Sequence, residues 1–395
     1  MNISHFFLIG EHKLLFLYLA VFLLAAFLSS VLTKASIPIA QRFNFIDYPT
    51  ERKRHPAPMP YLGGVAIFCS FWLVILIGIL TAQFPGQKLL AFASAQRIIL
   101  GVLSMSHKLL GIFAGSFVIL IVGLLDDRFD LLPSQKLFGQ MVAAFVLMKM
   151  GLMINLFYGL GVWGYVITFI WILLIMNAFN FVDSLDGHCS GVAFIACIMF
   201  FWITQILNQP MVGFFLIAFA GALGGFLQHN FKPAKTFLGD NGSLFVGYMM
   251  AAFTLLCKYY GPRFSHVTVF IPVLIFGVPI YDTLSVIVVR TFRGVPFWKG
   301  DRNHFAHRLV KIGMSEKAAV VFSYFVELTI GLIAILTTQV TFFGAVLIGF
   351  IFFCIIGVIA FLEYYASRRV KISEKLATEH RRRKEDIRAE EDKLS

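Results

Sequence analysis

Cysteine is scarce in this chain, and so is charge. The five cysteines (Cys69, Cys189, Cys197, Cys257 and Cys354) are scattered, and no CxxC spacing occurs, so neither a zinc site nor a disulfide framework is supported. Charged residues make up only 14% of the 395 positions against 59% hydrophobic, and the mean hydropathy is +0.83, which excludes a soluble globule. No segment recurs at a fixed period, which excludes a solenoid. The first apolar run has no A-x-A cleavage pattern, so it reads as a retained span and not a signal peptide. The net charge of +12 comes without any aromatic–basic reader module, so nucleic acid is not an expected partner. A lipid bilayer is.

What the chain has instead is a series of apolar runs of the length an α-helix needs to cross about 30 Å of hydrocarbon. Eleven are visible, near 13–33, 61–82, 109–125, 136–153, 160–179, 189–207, 211–228, 241–257, 267–289, 320–338 and 342–362. The expected fold is therefore all-α: a polytopic integral membrane protein of about eleven transmembrane helices. Residues 1–365 form the membrane domain and 366–395 a charged cytoplasmic tail. Of the 33 Lys and Arg residues, 26 fall in 34–60, 126–136, 229–238, 290–319 and 366–395, segments that share one side in this arrangement. The positive-inside rule makes that side the cytoplasm, with the C-terminus inside and the N-terminus outside.

The same assignment places every acidic cluster on the cytoplasmic face. A carboxylate drawn into hydrocarbon costs about 2.5–3.5 kcal/mol, so acids recurring at span ends point to a polar site built there. The third run ends in LLDDRFDLLPSQK, where Asp126, Asp127 and Asp130 form a DDxxD; on a helix Asp126 and Asp130 would share a face. Clustered carboxylates suit a hard divalent ion, and a crowded carboxylate also suits a general base. The fifth run leads into NAFNFVDSLDGHCSG. Asn177, Asn180, Asp183 and Asp186 recur every third residue there and predict a polar stripe of oxygen donors along a helix. In FLGDNGSLF, a glycine turn opens the next run, a pattern that predicts phosphate at a helix N-terminus, with Asp240 at its mouth and Phe237 able to stack on a base.

The basic loops complete the picture. Arg54 lies in a dense patch, RKRH, that suits phosphate or simple membrane anchoring. His304, His307 and Arg308 form a His-x-x-His-Arg in a cationic loop, suited to gripping pyrophosphate or a sugar phosphate. Two histidines complete no zinc shell. Asp282, at another span, has no evident role in the sequence.

LLDD, NAFNFVDSLDG, FLGDNGSLFVG and GDRNHFAHRL, in this order over roughly residues 15–365, resemble the polyprenyl-phosphate N-acetylhexosamine-1-phosphate transferase family. The opening loop, with RKRHPAPMPYLGG, is similar to the branch that uses UDP-N-acetylglucosamine (UDP-GlcNAc). Ala306 stands where relatives often carry another histidine, which argues against a role needing three imidazoles. The resemblance implies transfer of a sugar 1-phosphate from a UDP-sugar to undecaprenyl or another polyprenyl phosphate with release of UMP. It implies Mg²⁺, with Mn²⁺ as an alternative, and an active site facing the cytoplasm at the bacterial inner membrane. By the same analogy Asp126 or Asp127 is the base, Asp126 being favoured, and Asp240 and Asn180 hold the metal. Asn177, Asp183, Asp186, Phe237, His304, His307, Arg308 and Arg54 bind substrate. A homodimer is an expectation of the family only. The competing expectations are a phospho-MurNAc-pentapeptide transferase and, from another class, a transporter of an anionic solute.

Overall fold

The computed structural model describes residues 9–49, 57–83, 98, 101–154, 161–259, 266–292, 294, 304–341, 343–365 and 368. Arg54 and, apart from Arg368, the 366–395 tail lie outside them. The described chain is helical, with one two-residue antiparallel pair, β1 (Ile46–Asp47) and β2 (Met59–Pro60), in the first loop. The helices are α1 (Ile9–Arg42), α2 (Gly63–Gln83), α3 (Ser106–Phe129), α4 (Pro133–Lys149), α5 (Val162–Val182), α6 (His188–Ile206) and α7 (Pro210–Asn230). They continue as α8 (Asp240–Leu256), α9 (Ile271–Ile275), α10 (Gly277–Phe292), α11 (Phe305–Lys311), α12 (Glu316–Leu336) and α13 (Phe343–Tyr365).

All eleven apolar runs coincide with helix. Among the described residues, eight helices are long and apolar enough to cross a membrane, and α9 with α10 makes a ninth if that bent pair is one span. The protein is a polytopic membrane protein. Two runs fall short of the expected length. Helices α4 and α8 each have 17 residues, about 25 Å at 1.5 Å per residue, less than the hydrocarbon thickness.

The reason differs between the two. Helix α4 begins with proline three residues before the apolar run and ends early, at Lys149, just before Gly151 adopts the left-handed conformation (φ 79°). Helix α8 is short because it is the core of the bundle: every residue from Asn241 to Leu256 is buried, against α2, α3, α5, α6 and α7. A helix that is apolar on all sides belongs inside, and its small residues Gly242, Ser243, Gly247, Ala251 and Ala252 let neighbours approach. A Cβ on Gly123 of α3 would lie 2.3 Å from the Asn241 Cα, and one on Gly64 of α2 would lie 2.3 Å from the Gly242 Cα. Backbone-to-backbone contact from two sides thus fixes the first turn of α8, where the site is built.

Candidate active site

Four segments converge on that first turn: the end of α3, the start of α4, the end of α5, and the loop from α7 to α8. Helix α3 stops at Phe129, because Asp130 adopts the left-handed conformation (φ 48°) and its N–H bonds back to the Asp126 carbonyl at 2.9 Å. Asp126 and Asp130 therefore do not form the helical pair expected from the DDxxD.

The adjacent acids have different partners. Asp127 turns toward α8, where Oδ1 accepts the Asp240 N–H at 2.8 Å and Oδ2 accepts the Asn241 N–H at 3.0 Å and the Asn241 Nδ2 at 2.6 Å. A carboxylate satisfies orphan donors at a helix start and complements its dipole. The FLGDNG turn was expected to offer these amides to a phosphate; in the structure their anion is Asp127. Tyr61 adds a hydrogen bond from its hydroxyl to the Asp127 carbonyl at 2.7 Å.

Asp126 points into a polar cluster. Its Oδ1 accepts the Leu131 N–H at 3.1 Å, and its Oδ2 pairs with the Lys136 ammonium. Lys136, from the first turn of α4, also reaches Asp240 Oδ2 at 3.0 Å. Asn180 of α5 donates from Nδ2 to Asp240 Oδ1 and to Ser243 Oγ (2.9 Å). An ammonium so close favours the ionised form of Asp240. Side-chain exposure rises from 6% at Asp126 through 22% at Lys136 to 33% at Asp240, so the cluster is closed at the first acid and open at the last.

The expected stripe on α5 is half helical. Asn177 exchanges hydrogen bonds with Gln140 of α4, its Nδ2 donating at 2.7 Å, and so braces α4 beside the cluster. Asp183 caps α5, and Asp186 lies in the turn beyond, where Oδ2 accepts the Ala234 N–H at 3.3 Å. The Asp183 side chain makes no hydrogen bond among the described residues. Desolvation, reinforced by the charges of Asp240, Asp127 and Asp186, pushes its carboxyl well above the ordinary carboxylate range.

Phe237 serves the scaffold through its backbone: its N–H bonds Pro60 of β2 at 2.8 Å and its carbonyl accepts the Gly63 N–H at 3.3 Å. Asn230, which is buried, ties two loops together. Its Oδ1 accepts the Gly187 N–H (3.1 Å) and the Ser190 hydroxyl (2.9 Å), and its Nδ2 donates to the Thr236 carbonyl (3.0 Å).

The histidine loop forms a second group. His304 precedes α11 and is buried, with Nδ1 3.0 Å from Asp282 Oδ2, while Asp282 Oδ1 accepts the Phe305 N–H. Asp282 thereby orients the ring and caps α11. The ring of Phe181, the residue after the cluster's Asn180, lies 5.5 Å from the His304 ring. His307 sits half-buried on the first turn of α11. Arg308 Nε donates to Glu363 Oε2 at 3.1 Å and a terminal nitrogen donates to Ser285 Oγ at 2.8 Å, anchoring α13. In this structure the Arg308 guanidinium is engaged in an ion pair within the protein.

Among the described residues, no three His, Cys, Asp or Glu side chains form a ready-made metal cage. The donor set still suits a hard cation that completes its shell with substrate phosphates and water: Asp240 offers carboxylate oxygens, Asn180 would offer its amide oxygen once the Nδ2 now given to Asp240 and Ser243 rotates away, and the Lys136 ammonium shows that a cation is balanced between Asp126 and Asp240.

Residues 109–258, which carry all of this cluster, match the family model described as glycosyl transferase family 4. A Bacillus subtilis protein named "probable undecaprenyl-phosphate N-acetylglucosaminyl 1-phosphate transferase" is 31% identical over 355 residues, covering 86% of this chain and 91% of its own. This chain belongs to the polyprenyl-phosphate N-acetylhexosamine-1-phosphate transferase family. Other members similar to it are a Mycobacterium tuberculosis decaprenyl-phosphate N-acetylglucosaminephosphotransferase (32% over 333 residues, 78% of each chain) and an Escherichia coli K12 undecaprenyl-phosphate alpha-N-acetylglucosaminyl 1-phosphate transferase (24% over 299 residues, 72% of this chain and 74% of its own).

In this transferase, sequence reasoning passed over Lys136, Gln140, Asn230 and Asn241. Lys136 had a signal, a cation within ten residues of Asp126, Asp127 and Asp130. It also carries a prediction. Lys136→Met removes the charge that keeps two carboxylates together, so turnover should fall by about 10²-fold. The freed acids should at the same time bind Mg²⁺ more tightly, so the ion should raise the melting temperature more in the variant than in the parent. A thermal-shift titration checks this, and an unchanged or smaller Mg²⁺ effect would count against the placement of Lys136.

Proposed function

We propose that this protein transfers N-acetylglucosamine 1-phosphate from UDP-GlcNAc to undecaprenyl or another polyprenyl phosphate, releasing UMP. The observation that carries the reading is the Asp126–Lys136–Asp240–Asn180 cluster at one end of the core helix, opening outward at Asp240. In this reading eleven spans cross the bacterial inner membrane, the N-terminus is outside, and the site faces the cytoplasm. That orientation rests on the basic residues of the loops.

An oxygen of the lipid phosphate attacks the sugar-bearing β-phosphorus, the bond to the bridging oxygen breaks, and UMP leaves. By the family analogy Asp126 is the base that deprotonates or orients the lipid phosphate; it shares the cluster with Lys136 and Asp240, whereas Asp127 binds three donors at the first turn of α8. Asp240 and Asn180 would hold Mg²⁺ or Mn²⁺, which when bound supplies the positive charge two approaching phosphates require. Asp183, Asp186, Asn177, Phe237 and the His304–His307 loop shape the donor pocket. Desolvation raises the Asp183 carboxyl, and in its protonated form it would donate a hydrogen bond to a phosphate or sugar oxygen.

The test is transfer of labelled sugar by purified protein in detergent, with undecaprenyl phosphate and Mg²⁺. UDP-GlcNAc and UDP-MurNAc-pentapeptide are supplied in parallel. Label in lipid from UDP-GlcNAc with stoichiometric UMP is the expected result. Transfer from the pentapeptide donor alone would overturn the sugar assignment, and no transfer from either would overturn the reaction.

A further inference from the structure

The α9–α10 pair turns by 68° at Phe276, within an apolar stretch where water is scarce. A helix that starts inside hydrocarbon leaves its first N–H groups without intrahelical partners, each a cost of several kcal/mol if unmet. At the start of α10, Pro279 has no N–H, and the Ile280 N–H already bonds the Phe276 carbonyl at 2.9 Å. The Val278 N–H is met by Glu327 of α12, whose Oε2 lies 3.0 Å away and whose side chain is fully buried. Beside it, a Cβ on Gly277 would stand 2.7 Å from Ile330 Cδ1, so α10 begins in direct contact with α12.

One turn beyond Val278, on the same face, is Asp282. Asp282 orients His304 and caps α11, and Ser285 and Tyr281 of α10 hold Arg308 and Glu363 through their hydroxyls. We propose that Glu327 is a positioning residue: by holding the Val278 N–H it fixes the bend and the rotation of α10, and so delivers Asp282 to His304. The effect on catalysis rests on the transferase reading above; the effect on the bend does not.

Three variants and two measurements test it. Glu327→Gln keeps an oxygen acceptor for Val278 and should retain the parent's turnover. Glu327→Leu keeps the approximate volume and removes the acceptor; turnover should fall by roughly 10²-fold, as expected for a misplaced catalytic group. In a His304→Ala background, Glu327→Leu should add little further loss, because the two act through one contact. A general loss of folding would instead multiply with His304→Ala.

The second measurement needs no activity. Spin labels on Val273→Cys and Val288→Cys, with Cys69 and Cys354 replaced by Ser, report the bend by pulsed electron resonance. A straight helix would separate the two Cα atoms by about 22 Å, and the bend shortens this. Parent and Glu327→Gln should give the same narrow distance, and Glu327→Leu a longer or broader one. An unchanged distance in Glu327→Leu, or multiplying losses with His304→Ala, would overturn the proposal. If the parent released no UMP, the transferase reading would fall, while the label distance would still decide whether Glu327 holds the bend.

Discussion

Asp240→Asn is expected to lower UMP release by about 10³-fold, the scale seen when preorganised charge is removed from a reacting phosphate or acyl centre. The substitution is nearly isosteric, and the Asp240 backbone N–H that Asp127 holds is unchanged, so the bundle should remain folded. What changes is charge. Lys136 would then answer to Asp126 alone, and Asn180 would face an amide that is a poor metal ligand. The loss should appear in kcat, with the Mg²⁺ concentration for half-maximal rate shifted upward. A variant that keeps a tenth of the parent's rate with unaltered Mg²⁺ dependence would show that Asp240 is not a metal ligand.

Asp127→Ala is expected to act on folding. The carboxylate meets three donors at the start of a fully buried helix, two of them backbone amides. Loss of a helix cap costs about 0.5–2 kcal/mol, and an unmet buried donor about 1–3 kcal/mol. These terms are not strictly additive, and a total of about 3–5 kcal/mol follows from them. The melting temperature in detergent should fall steeply. Asp126→Ala is the matched control: it changes the neighbouring residue, touches one backbone N–H, and should cost turnover far more than stability. Equal melting of the two variants would refute this division of labour.

That division marks where the sequence stops being informative. The LLDD, NAFNFVDSLDG and FLGDNG segments were legible as site material, because acids and amides beside hydrocarbon are costly unless a polar site uses them. The helices were legible because each apolar run must satisfy its own backbone hydrogen bonds within the bilayer. Which of two adjacent acids faces the chemistry was not legible. Neighbouring residues on a helix point about 100° apart, and what decides between them is Asn241, more than a hundred residues away. Asp282 gave no signal either, because its partner His304 belongs to another segment, 22 residues further along the chain. The Glu363 partner of Arg308 was not legible either, since it lies 55 residues further along the chain. Helix lengths suffered similarly. Apolar composition cannot distinguish a helix surrounded by lipid from one surrounded by protein, and α8 is the second kind.

The burial of α8 has a consequence for how the protein meets membranes of different thickness. Bilayers vary by several ångströms, and helices in contact with lipid accommodate the difference by tilting or by drawing their flanking residues inward. Here that adjustment falls on the periphery, on α1, with its 34 residues, and on α13, where few side chains are buried. Helix α8 shares no boundary with the acyl chains along Asn241–Leu256, and Gly123 and Gly64 hold its first turn by backbone contact. A thinner or thicker bilayer can therefore lean the outer ring while the first turn of α8 keeps its surroundings. The turn that carries Asp240 is mechanically insulated from the surrounding lipid.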